Sequence, residues 1–106
     1  MSKTFYISTP IYYPSAKPHM GHAYSSIIAD FFARLKKIDG YEVFFLTGTD
    51  EHGLKIQRAA EKKGIPTLDF CNEISKTFKE LSKTLNLINS DFIRTTENRH
   101  KKSVQY

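Results

Sequence analysis

The sequence predicts an α/β fold in which parallel strands alternate with helices. Two short apolar runs, Phe5–Ile7 and Val43–Leu46, are typical of buried strands. Each run leads through a turn into a segment whose apolar residues recur every three or four positions, as in an amphipathic helix. The resulting order, βαβααβα with right-handed crossovers, predicts the first half of a doubly wound, Rossmann-type parallel sheet with strand order 3-2-1.

The first strand is predicted at Thr4–Ser8 and is expected to be buried. Pro10, Pro14 and Pro18 keep the loop that follows out of helical conformation. The first helix is predicted at about Gly21–Asp39. It is expected to bury the face formed by its large apolar residues, which are Tyr24, Ile27, Ile28, Phe31, Leu35 and Ile38.

Glycines mark the ends of the first two helices. Gly40 is expected to end the first helix, because a residue in left-handed conformation commonly follows a helix. The second strand, Tyr41–Thr47, is continuously apolar in its middle and is expected to be covered on both faces. A second helix is predicted over about His52–Lys63, where Gly64 stops it. Three of its residues are expected to point inward, Leu54, Ala59 and Ala60.

The remaining segment predicts a helix, a strand and a final helix. Pro66–Leu87 repeats apolar residues at helical spacing, with Cys71 as a small core residue. Asp91–Arg94 is the predicted third strand. Thr95 or Thr96 is expected to cap the last helix.

Composition indicates one small domain. The 106 residues are 40% hydrophobic, and 16 Lys and Arg against 11 Asp and Glu give a net charge of +5. That charge suits an anionic partner such as ATP or tRNA, although scattered lysines are also common on soluble proteins. With 1 cysteine there is no disulfide framework and no thiolate zinc site. We find no signal peptide and no long apolar segment, and we therefore expect a cytoplasmic protein.

The loop before the first helix carries residues suited to an anion. His19 and His22 are three positions apart, so both imidazoles lie on one side of the first turn, where each can donate to a phosphate oxygen. Free N–H groups and the helix dipole favour negative charge there. Gly21 lacks a Cβ and allows a flat ligand to approach the backbone. These residues alone leave open that the histidines only satisfy the helix N-terminus.

A second loop, Thr47–Gly53, should reach the same place. The carboxyl ends of parallel strands meet at one edge of an open α/β sheet, and ligands bind there. The loops Thr9–Gly21 and Thr47–Gly53 both leave that edge. We therefore expect them to form one site from residues distant along the chain.

At these residues the chain resembles a known family. Pro18–His22, with the sequence Pro-His-Met-Gly-His, resembles the "HIGH" signature of class I aminoacyl-tRNA synthetases. Ser8–Tyr13 and the Thr-Asp-Glu-His-Gly turn within Phe44–Gly53 resemble methionyl-tRNA synthetases in particular. The resemblance runs from about Phe5 to the last residue and covers only the beginning of that family's catalytic domain. It implies that residues 1–106 form the incomplete N-terminal half of a nucleotide-binding catalytic domain.

The resemblance implies ligands and roles for the first loop. ATP with Mg²⁺ and methionine would be bound for methionyl-adenylate formation, and tRNA would bind the full-length family member. By resemblance, His19 and His22 are catalytic residues that contact the phosphates of ATP, and Gly21 lies beneath the adenine. Lys17 could also contact phosphate, or it could be solvated.

The resemblance also implies how the amino acid is held. Asp50 would bind the ammonium group of methionine, together with the backbone of Ile11 and the ring of Tyr13. From the residues alone, Asp50 could instead cap the second helix, and Ile11 and Tyr13 could be loop anchors. His52 could orient the turn or lie near the nucleotide.

The chain departs from the family pattern in one respect. The second family signature, a Lys-Met-Ser-Lys-Ser loop that supplies lysines to ATP, does not occur in the sequence. We therefore expect an N-terminal fragment that cannot charge tRNA alone and holds no metal site. The alternative is a non-catalytic remnant that binds nucleotide or a partner protein and self-associates through its exposed sheet edge. A compact HxGH nucleotidyltransferase is a third option, but it leaves the Thr-Asp-Glu-His-Gly turn unexplained.

Overall fold

The computed structural model describes residues 3–14 and 18–106. The described residues form an α/β structure whose element order, βαβααβα, is the predicted one. Its elements are β1 (Thr4–Ser8), α1 (Met20–Ile38), β2 (Glu42–Thr49), α2 (Leu54–Lys63), α3 (Thr67–Thr84), β3 (Asp91–Arg94) and α4 (Asn98–Gln105).

The strands form one parallel sheet with β2 in the centre. The order along this three-stranded sheet is β1-β2-β3, which is 3-2-1 when it is read from the β3 edge. Thr4 pairs with Glu42 at the start of the β1–β2 ladder, and Leu46 pairs with Asp91 at the start of the β2–β3 ladder. All strands therefore end at the same edge, where the loops after β1 and β2 emerge.

Two predicted glycine stops are confirmed. Gly40 follows α1 with φ +88°, and Gly64 ends α2 with φ +74°. Both values lie in the left-handed region that a residue without Cβ adopts at little cost. The α3 helix ends three residues before the predicted Leu87, because Asn86 adopts φ +55° and turns the chain towards β3.

The predicted inward face of α1 is wrong. The buried residues of α1 are Ser26, Ala29, Asp30 and Ala33, and Ala29 and Ala33 pack on Phe45 of β2. These small side chains bring the helix backbone close to the sheet. The large residues predicted to be buried are exposed instead, namely Tyr24, Ile27, Ile28, Phe31, Leu35 and Ile38.

Among the described residues, the helices pack on one face of the sheet, which corrects the expectation of strands buried on both faces. Ile7, Val43 and Phe45 pack towards α1, and Phe92 packs on the core formed by α2 and α3. Alternation along the strands and the pairing register place these four residues on the same face. The opposite face carries Tyr6 and Phe44. Both side chains are exposed, and their rings stack with the centroids 6.0 Å apart.

A second core lies between α2, α3 and the loop after β1. Its buried residues are Tyr12, Ile56, Ala60, Phe70, Cys71, Ile74 and Phe78. The predictions for Ala60 and Cys71 are confirmed, and the prediction for Leu54 is wrong. Leu54 is exposed in the first turn of α2, and Ile56 takes the buried position.

The predicted cap of α4 is also wrong. Glu97 is the N-cap residue, and no side chain caps the helix. The two threonines bind Glu51 instead: the Glu51 N–H donates to Thr95 Oγ1 at 2.7 Å, and Thr96 Oγ1 donates to the Glu51 carboxylate at 2.8 Å. Neither side chain is therefore available to the helix.

In the part of the chain that the structure describes, no helix combines the length and the apolar character needed to cross a bilayer.

Because α1 packs on the sheet through its small residues, two substitutions on its opposite sides should change the free energy of unfolding by different amounts. Ala33→Leu should lower the free energy of unfolding by about 1–3 kcal/mol, because added methylenes meet Phe45 in a filled space. Phe31→Ala should change it by about 1 kcal/mol or less, because this ring is mostly exposed. Urea denaturation measures both. A larger loss of unfolding free energy for Phe31→Ala than for Ala33→Leu would contradict this packing and would indicate that the large apolar residues are buried.

Candidate functional site

The loops after β1 and β2 meet at the backbone of Tyr12. Tyr12 forms a parallel bridge with Thr49, beyond the end of β1. Its N–H donates to the Gly48 carbonyl at 2.9 Å, and its carbonyl accepts from the Asp50 N–H at 2.8 Å. The two loops are distant in sequence, but backbone hydrogen bonds join them at the carboxyl edge of the sheet.

The side chain of Tyr12 connects this junction to the start of α1. Its hydroxyl lies 2.7 Å from Ser26 Oγ and donates to the His22 carbonyl at 3.3 Å. Its ring centroid lies 4.9 Å from that of His22 and 5.6 Å from that of Phe78. Because Tyr12 is buried, it holds the histidine-bearing turn and the Asp50 turn in one rigid unit.

His19 and His22 cap α1 reciprocally. His19 is the N-cap residue, and its Nδ1 accepts from the Gly21 N–H at 3.0 Å. His22 Nδ1 accepts from the His19 N–H at 3.1 Å. This is the geometry of a capping box with imidazoles in place of hydroxyl and carboxylate. The two rings stack with their centroids 3.9 Å apart.

The capping role leaves one N–H on each ring for a ligand. Since Nδ1 accepts a hydrogen bond in both rings, the neutral tautomer has its proton on Nε2. Each imidazole thus satisfies the helix N-terminus with one nitrogen and keeps a donor on the other. Sequence reasoning treated these two roles as alternatives, and the geometry accommodates both.

His22 is held in its neutral form. Burial lowers the pKa of His22, and the neighbouring His19 lowers it further when charged. Protonation at Nδ1 would also remove the acceptor of the His19 N–H. Burial and the neighbouring imidazole therefore both favour the neutral form of His22.

Gly21 makes room for the His19 ring. A Cβ at this position would lie 2.9 Å from His19 Cε1, closer than carbon atoms pack. A larger residue would push the ring away from the Gly21 N–H that it accepts from. The glycine is thus required by the cap itself, in addition to any approach of a ligand.

The turn after β2 presents Asp50 at the same edge. Its carboxylate is half-buried, and Oδ1 accepts from the His52 N–H at 3.4 Å. Asp50 does not cap α2, whose N-cap is Gly53 with φ +122°. A side chain at Gly53 would overlap the Tyr13 hydroxyl. The second helix therefore makes no use of the Asp50 carboxylate.

The remaining candidate residues are placed as follows. Tyr13 is half-buried and packs on the second core, and Ile11 is exposed beside it. His52 Nε2 lies 3.1 Å from the Thr95 carbonyl, so the ring ties the turn to the loop after β3. Lys17 lies outside the described residues. Within the described ranges, no three His, Cys, Asp or Glu side chains are grouped to hold a metal ion.

Sequence reasoning missed the buried carboxylate beneath this turn. The Glu51 side chain is 0% exposed and forms a two-point ion pair with Arg94, at 2.7 Å from Nε and 2.8 Å from Nη2. Thr49 Oγ1 also donates to Glu51 at 2.6 Å, as Thr96 does. The pair joins the end of β2 to β3. The only sequence signal was a charged residue in the turn, and charged residues in turns are usually solvated.

The ion pair keeps Glu51 charged. Burial alone would raise the pKa of Glu51, but hydrogen bonds from Arg94, Thr49 and Thr96 outweigh it, and the pKa lies below its ordinary value. The same pairing raises the pKa of Arg94. A buried charge with all its partners is stable, whereas either partner alone is costly. The buried, charged carboxylate of Glu51 therefore anchors the turn that carries Asp50.

The fold is shared with class I aminoacyl-tRNA synthetases. The LeuRS of Agrobacterium radiobacter, solved in a ternary complex with tRNA and LeuAMS, superposes with a TM-score of 0.82 at 25% identity over 93% of this chain and 13% of its own. At this identity the two chains share an arrangement of strands and helices. The fold therefore indicates that the chain is a class I aminoacyl-tRNA synthetase segment.

The particular family follows from closer relatives. The family model described as tRNA synthetases class I (M) matches residues 5–106, and the chain belongs to that family. The methionine–tRNA ligase of Listeria monocytogenes is 57% identical over 102 residues, 96% of this chain. That of Thermotoga maritima is 54% identical over 95% of the chain. The methionyl-tRNA synthetase of Mycobacterium tuberculosis, solved with bound methionyl-adenylate, superposes with a TM-score of 0.93 at 47% identity over 94% of the chain.

These relatives are much longer proteins. The chain spans 15% of the Listeria ligase and 16% of the Thermotoga ligase, and 20% of the Mycobacterium structure. The similarity therefore concerns one segment of each relative.

The Glu51–Arg94 pair predicts a pH-dependent stability. Glu51→Gln should lower the free energy of unfolding by about 3 kcal/mol at neutral pH, because Arg94 stays partly buried without its counter-charge. Since the folded pKa is lowered, this advantage of Glu51 is complete above the ordinary value of about 4.3 and is lost as the pH falls through the folded pKa. Urea denaturation at several pH values measures it.

The matched control is Glu73→Gln, which removes an exposed ion pair with Lys63. This substitution should lower the free energy of unfolding by less than about 1 kcal/mol. Equal losses for Glu51→Gln and Glu73→Gln, or a loss that does not change with pH, would contradict the structural role of Glu51.

The capping pair predicts the titration of His22. An NMR titration of the imidazole protons should give a pKa below the ordinary value of about 6.5. His19→Gln should raise the pKa of His22 part of the way back, because it removes the charge that His19 carries when it is protonated, while burial remains. A pKa of His22 above 6.5 in the unaltered chain would be inconsistent with the neutral cap.

Proposed function

We propose that this chain forms the ATP- and methionine-binding first part of a methionine–tRNA ligase catalytic domain, which makes methionyl-adenylate for tRNA charging. The observation that carries the proposal is the joining of the histidine turn and the Asp50 turn through Tyr12. Family membership supports it. So does the bound methionyl-adenylate of the Mycobacterium relative, a product that contains both the amino acid and the nucleotide.

The reaction needs positioning more than it needs reactive side chains. The methionine carboxylate attacks the α-phosphorus of ATP, an oxygen–phosphorus bond forms, and the bond to the pyrophosphate oxygen breaks. Two anions must approach, and charge must be stabilised on the phosphate oxygens as they do. Magnesium accompanies ATP as part of the substrate, and we assign no ligand for it among these residues.

His19 and His22 supply the donors in this proposal. Their Nε2–H groups point away from the cap, because Nδ1 of each ring is already bonded to backbone. Because these neutral donors are already oriented, they do not have to rearrange when negative charge develops on the phosphate oxygens. Because Gly21 has no side chain, the adenine can lie directly against the backbone at the start of the helix. Lys17 would add a positive charge near the phosphates.

Asp50 binds the ammonium group of methionine in this proposal. The Asp50 carboxylate is half-buried, does not cap α2, and is joined to the first loop by its own N–H. The backbone of Ile11 and the ring of Tyr13 would complete the methionine site, because these residues flank Tyr12, whose carbonyl accepts from the Asp50 N–H. Glu51 is a positioning residue here, since it holds the turn from below while Asp50 faces the site.

The proposal includes a limit on what the segment does alone. It carries the two binding loops but not the Lys-Met-Ser-Lys-Ser signature of the family. We propose that the 106-residue chain binds its ligands weakly and incompletely and does not sustain adenylate formation alone. Charging of tRNA, in the cytoplasm, belongs to the longer protein that carries such a segment.

The proposed chemistry is tested by pyrophosphate exchange. The chain alone should give almost no methionine-dependent ATP–pyrophosphate exchange. In a full-length methionine–tRNA ligase that carries this segment, His22→Ala should lower the exchange rate by about 100- to 1000-fold, the scale for a preorganised donor to transition-state charge.

The matched control is His100→Ala, which removes a histidine of α4 away from the two loops. It should leave the exchange rate unchanged. A loss smaller than about threefold for His22→Ala would remove this residue from the chemistry, since one preorganised donor is worth far more.

A further inference from the structure

A buried aromatic ring of α3 reaches the turn that carries the two histidines. Phe78 is 2% exposed, and its ring centroid lies 4.9 Å from that of His22, with the ring planes 69° apart. Aromatic rings attract each other in this edge-to-face arrangement at this distance. The α3 helix, which belongs to neither of the two loops, therefore contacts the imidazole that carries one of the proposed phosphate donors.

The His22 ring packs against three other rings. His19 stacks on it with the centroids 3.9 Å apart. The ring of Tyr12 lies 4.9 Å from it at an interplanar angle of 56°, and Phe78 completes the set. Tyr12 and Phe78 also stack on each other, with an interplanar angle of 21°. Because both are buried, they form a fixed apolar wall against which the imidazole packs.

The helix cap alone does not fix the direction of the free N–H. His22 Nδ1 accepts from the His19 N–H at 3.1 Å, and this bond restrains one atom of the ring. The second side-chain torsion of histidine has a broad minimum, and a hydrogen bond tolerates roughly 30° of misalignment. The wall formed by Tyr12 and Phe78 supplies the missing restraint on the angle of the ring.

Phe78 can influence the site only through the rings that it touches. It has no polar side-chain atom, and at 2% exposure it offers no surface to a ligand. Tyr12, by contrast, also joins the two loops through its backbone and hydroxyl, so its replacement would disturb several contacts together. Replacement of Phe78 therefore tests the position of the His22 ring by itself.

The α3 helix is also tied to the turn after β2. Asn72 Oδ1 accepts from Arg94 Nη2 at 2.6 Å, and Cys71 Sγ donates to the Glu51 carbonyl at 3.9 Å. The helix that carries Phe78 is thus held in a fixed position relative to the second loop.

We propose that Phe78 is a positioning residue for methionyl-adenylate formation. Its ring holds the imidazole of His22 at the angle at which Nε2–H can donate to the phosphate oxygens of ATP. This inference rests on the role of His22 in the proposed function and adds to it a residue of α3 that touches neither substrate. Without the Phe78 ring, His22 would cap the helix only part of the time, and its free N–H would sample several directions.

The first test replaces the ring in a full-length methionine–tRNA ligase that carries this segment. Phe78→Leu keeps an apolar side chain but removes the aromatic contact with His22. It should lower kcat of methionine-dependent ATP–pyrophosphate exchange by about 10- to 100-fold, the scale for a catalytic group misplaced by about 1 Å. The KM values for ATP and methionine should change by less than about threefold, because only a donor to developing charge is displaced.

The matched control is Phe70→Leu. Phe70 is 4% exposed and belongs to the same core, about two turns before Phe78 in the same helix. Its replacement should destabilise the fold to a similar extent, as urea denaturation measures, but should leave kcat within about threefold of the unaltered enzyme. Phe78→Met, which has a similar volume and no ring, takes the place of Phe78→Leu if that variant does not fold.

A double variant shows whether Phe78 acts through His22. In the His22→Ala background, Phe78→Leu should cause no further loss of exchange beyond that of Phe70→Leu, because the group that it positions is absent. Effects that reach the reaction independently would multiply instead.

A second readout needs neither substrate nor turnover. The nitrogen NMR shifts of the His22 imidazole, measured in the 106-residue chain, distinguish its two neutral tautomers. The unaltered chain should show the Nε2–H tautomer, because Nδ1 accepts from backbone. Phe78→Leu should show a mixture of tautomers, because the loosened ring leaves that bond part of the time, whereas Phe70→Leu should match the unaltered chain.

The outcomes separate this inference from the proposed function. A fall in kcat for Phe78→Leu but not for Phe70→Leu, absent in the His22→Ala background and accompanied by mixed tautomers, supports the inference. Equal falls for the two variants, losses that multiply in the double variant, or a single tautomer in Phe78→Leu would overturn it. If His22→Ala leaves exchange unchanged, the proposed function fails as well. If His22→Ala lowers exchange and Phe78→Leu does not, only this inference fails.

Discussion

The structure depends on the position of Tyr12. Its backbone continues the sheet beyond β1 and bonds to Gly48 and Asp50, while its hydroxyl and ring reach Ser26 and His22 on the first helix. A loop that leaves a strand has no regular partner for its backbone, and such groups are costly when buried. By pairing with the end of β2, the loop satisfies these groups and acquires a fixed relation to the neighbouring turn. The candidate site exists as one unit because of this residue.

The second turn is organised by charge. Two carboxylates stand next to each other in sequence, and the fold separates them. Glu51 is buried against Arg94 with every oxygen bonded, while Asp50 stays at the surface with one weak backbone contact. Consecutive residues at a strand end point to opposite sides, so one can support the turn while its neighbour is free for a ligand. A buried ion pair of this kind contributes little net stability but fixes the geometry of what it joins.

The histidine pair shows how one side chain serves structure and ligand binding together. Imidazole has two nitrogens with different roles in its neutral form. In His19 and His22 the inner nitrogen completes the helix cap, and this sets the tautomer of the outer one. A hydroxyl or carboxylate would cap as well, but it would leave no N–H of fixed direction. The requirement for a cap and the requirement for a donor are met by the same residue type.

The sequence by itself determined the order of the elements, the parallel sheet, the glycine stops at Gly40 and Gly64, and the two loops that meet at one edge. These follow from local chemistry: apolar periodicity, the backbone freedom of glycine, and the fixed hand of crossover connections. The meeting of the loops needed no knowledge of side-chain contacts.

The tertiary structure alone decided which side of each element is covered. Periodicity showed that α1 is amphipathic, but the helix packs on the sheet through Ala29 and Ala33, and its larger apolar side chains face outward. The exposure of Phe44, the burial of Glu51 and the use of Thr95 and Thr96 away from the α4 cap could not be predicted from local patterns either. Burial depends on which surfaces are brought together and at what distance. Residues far apart in the chain set that distance, and no local pattern reports it.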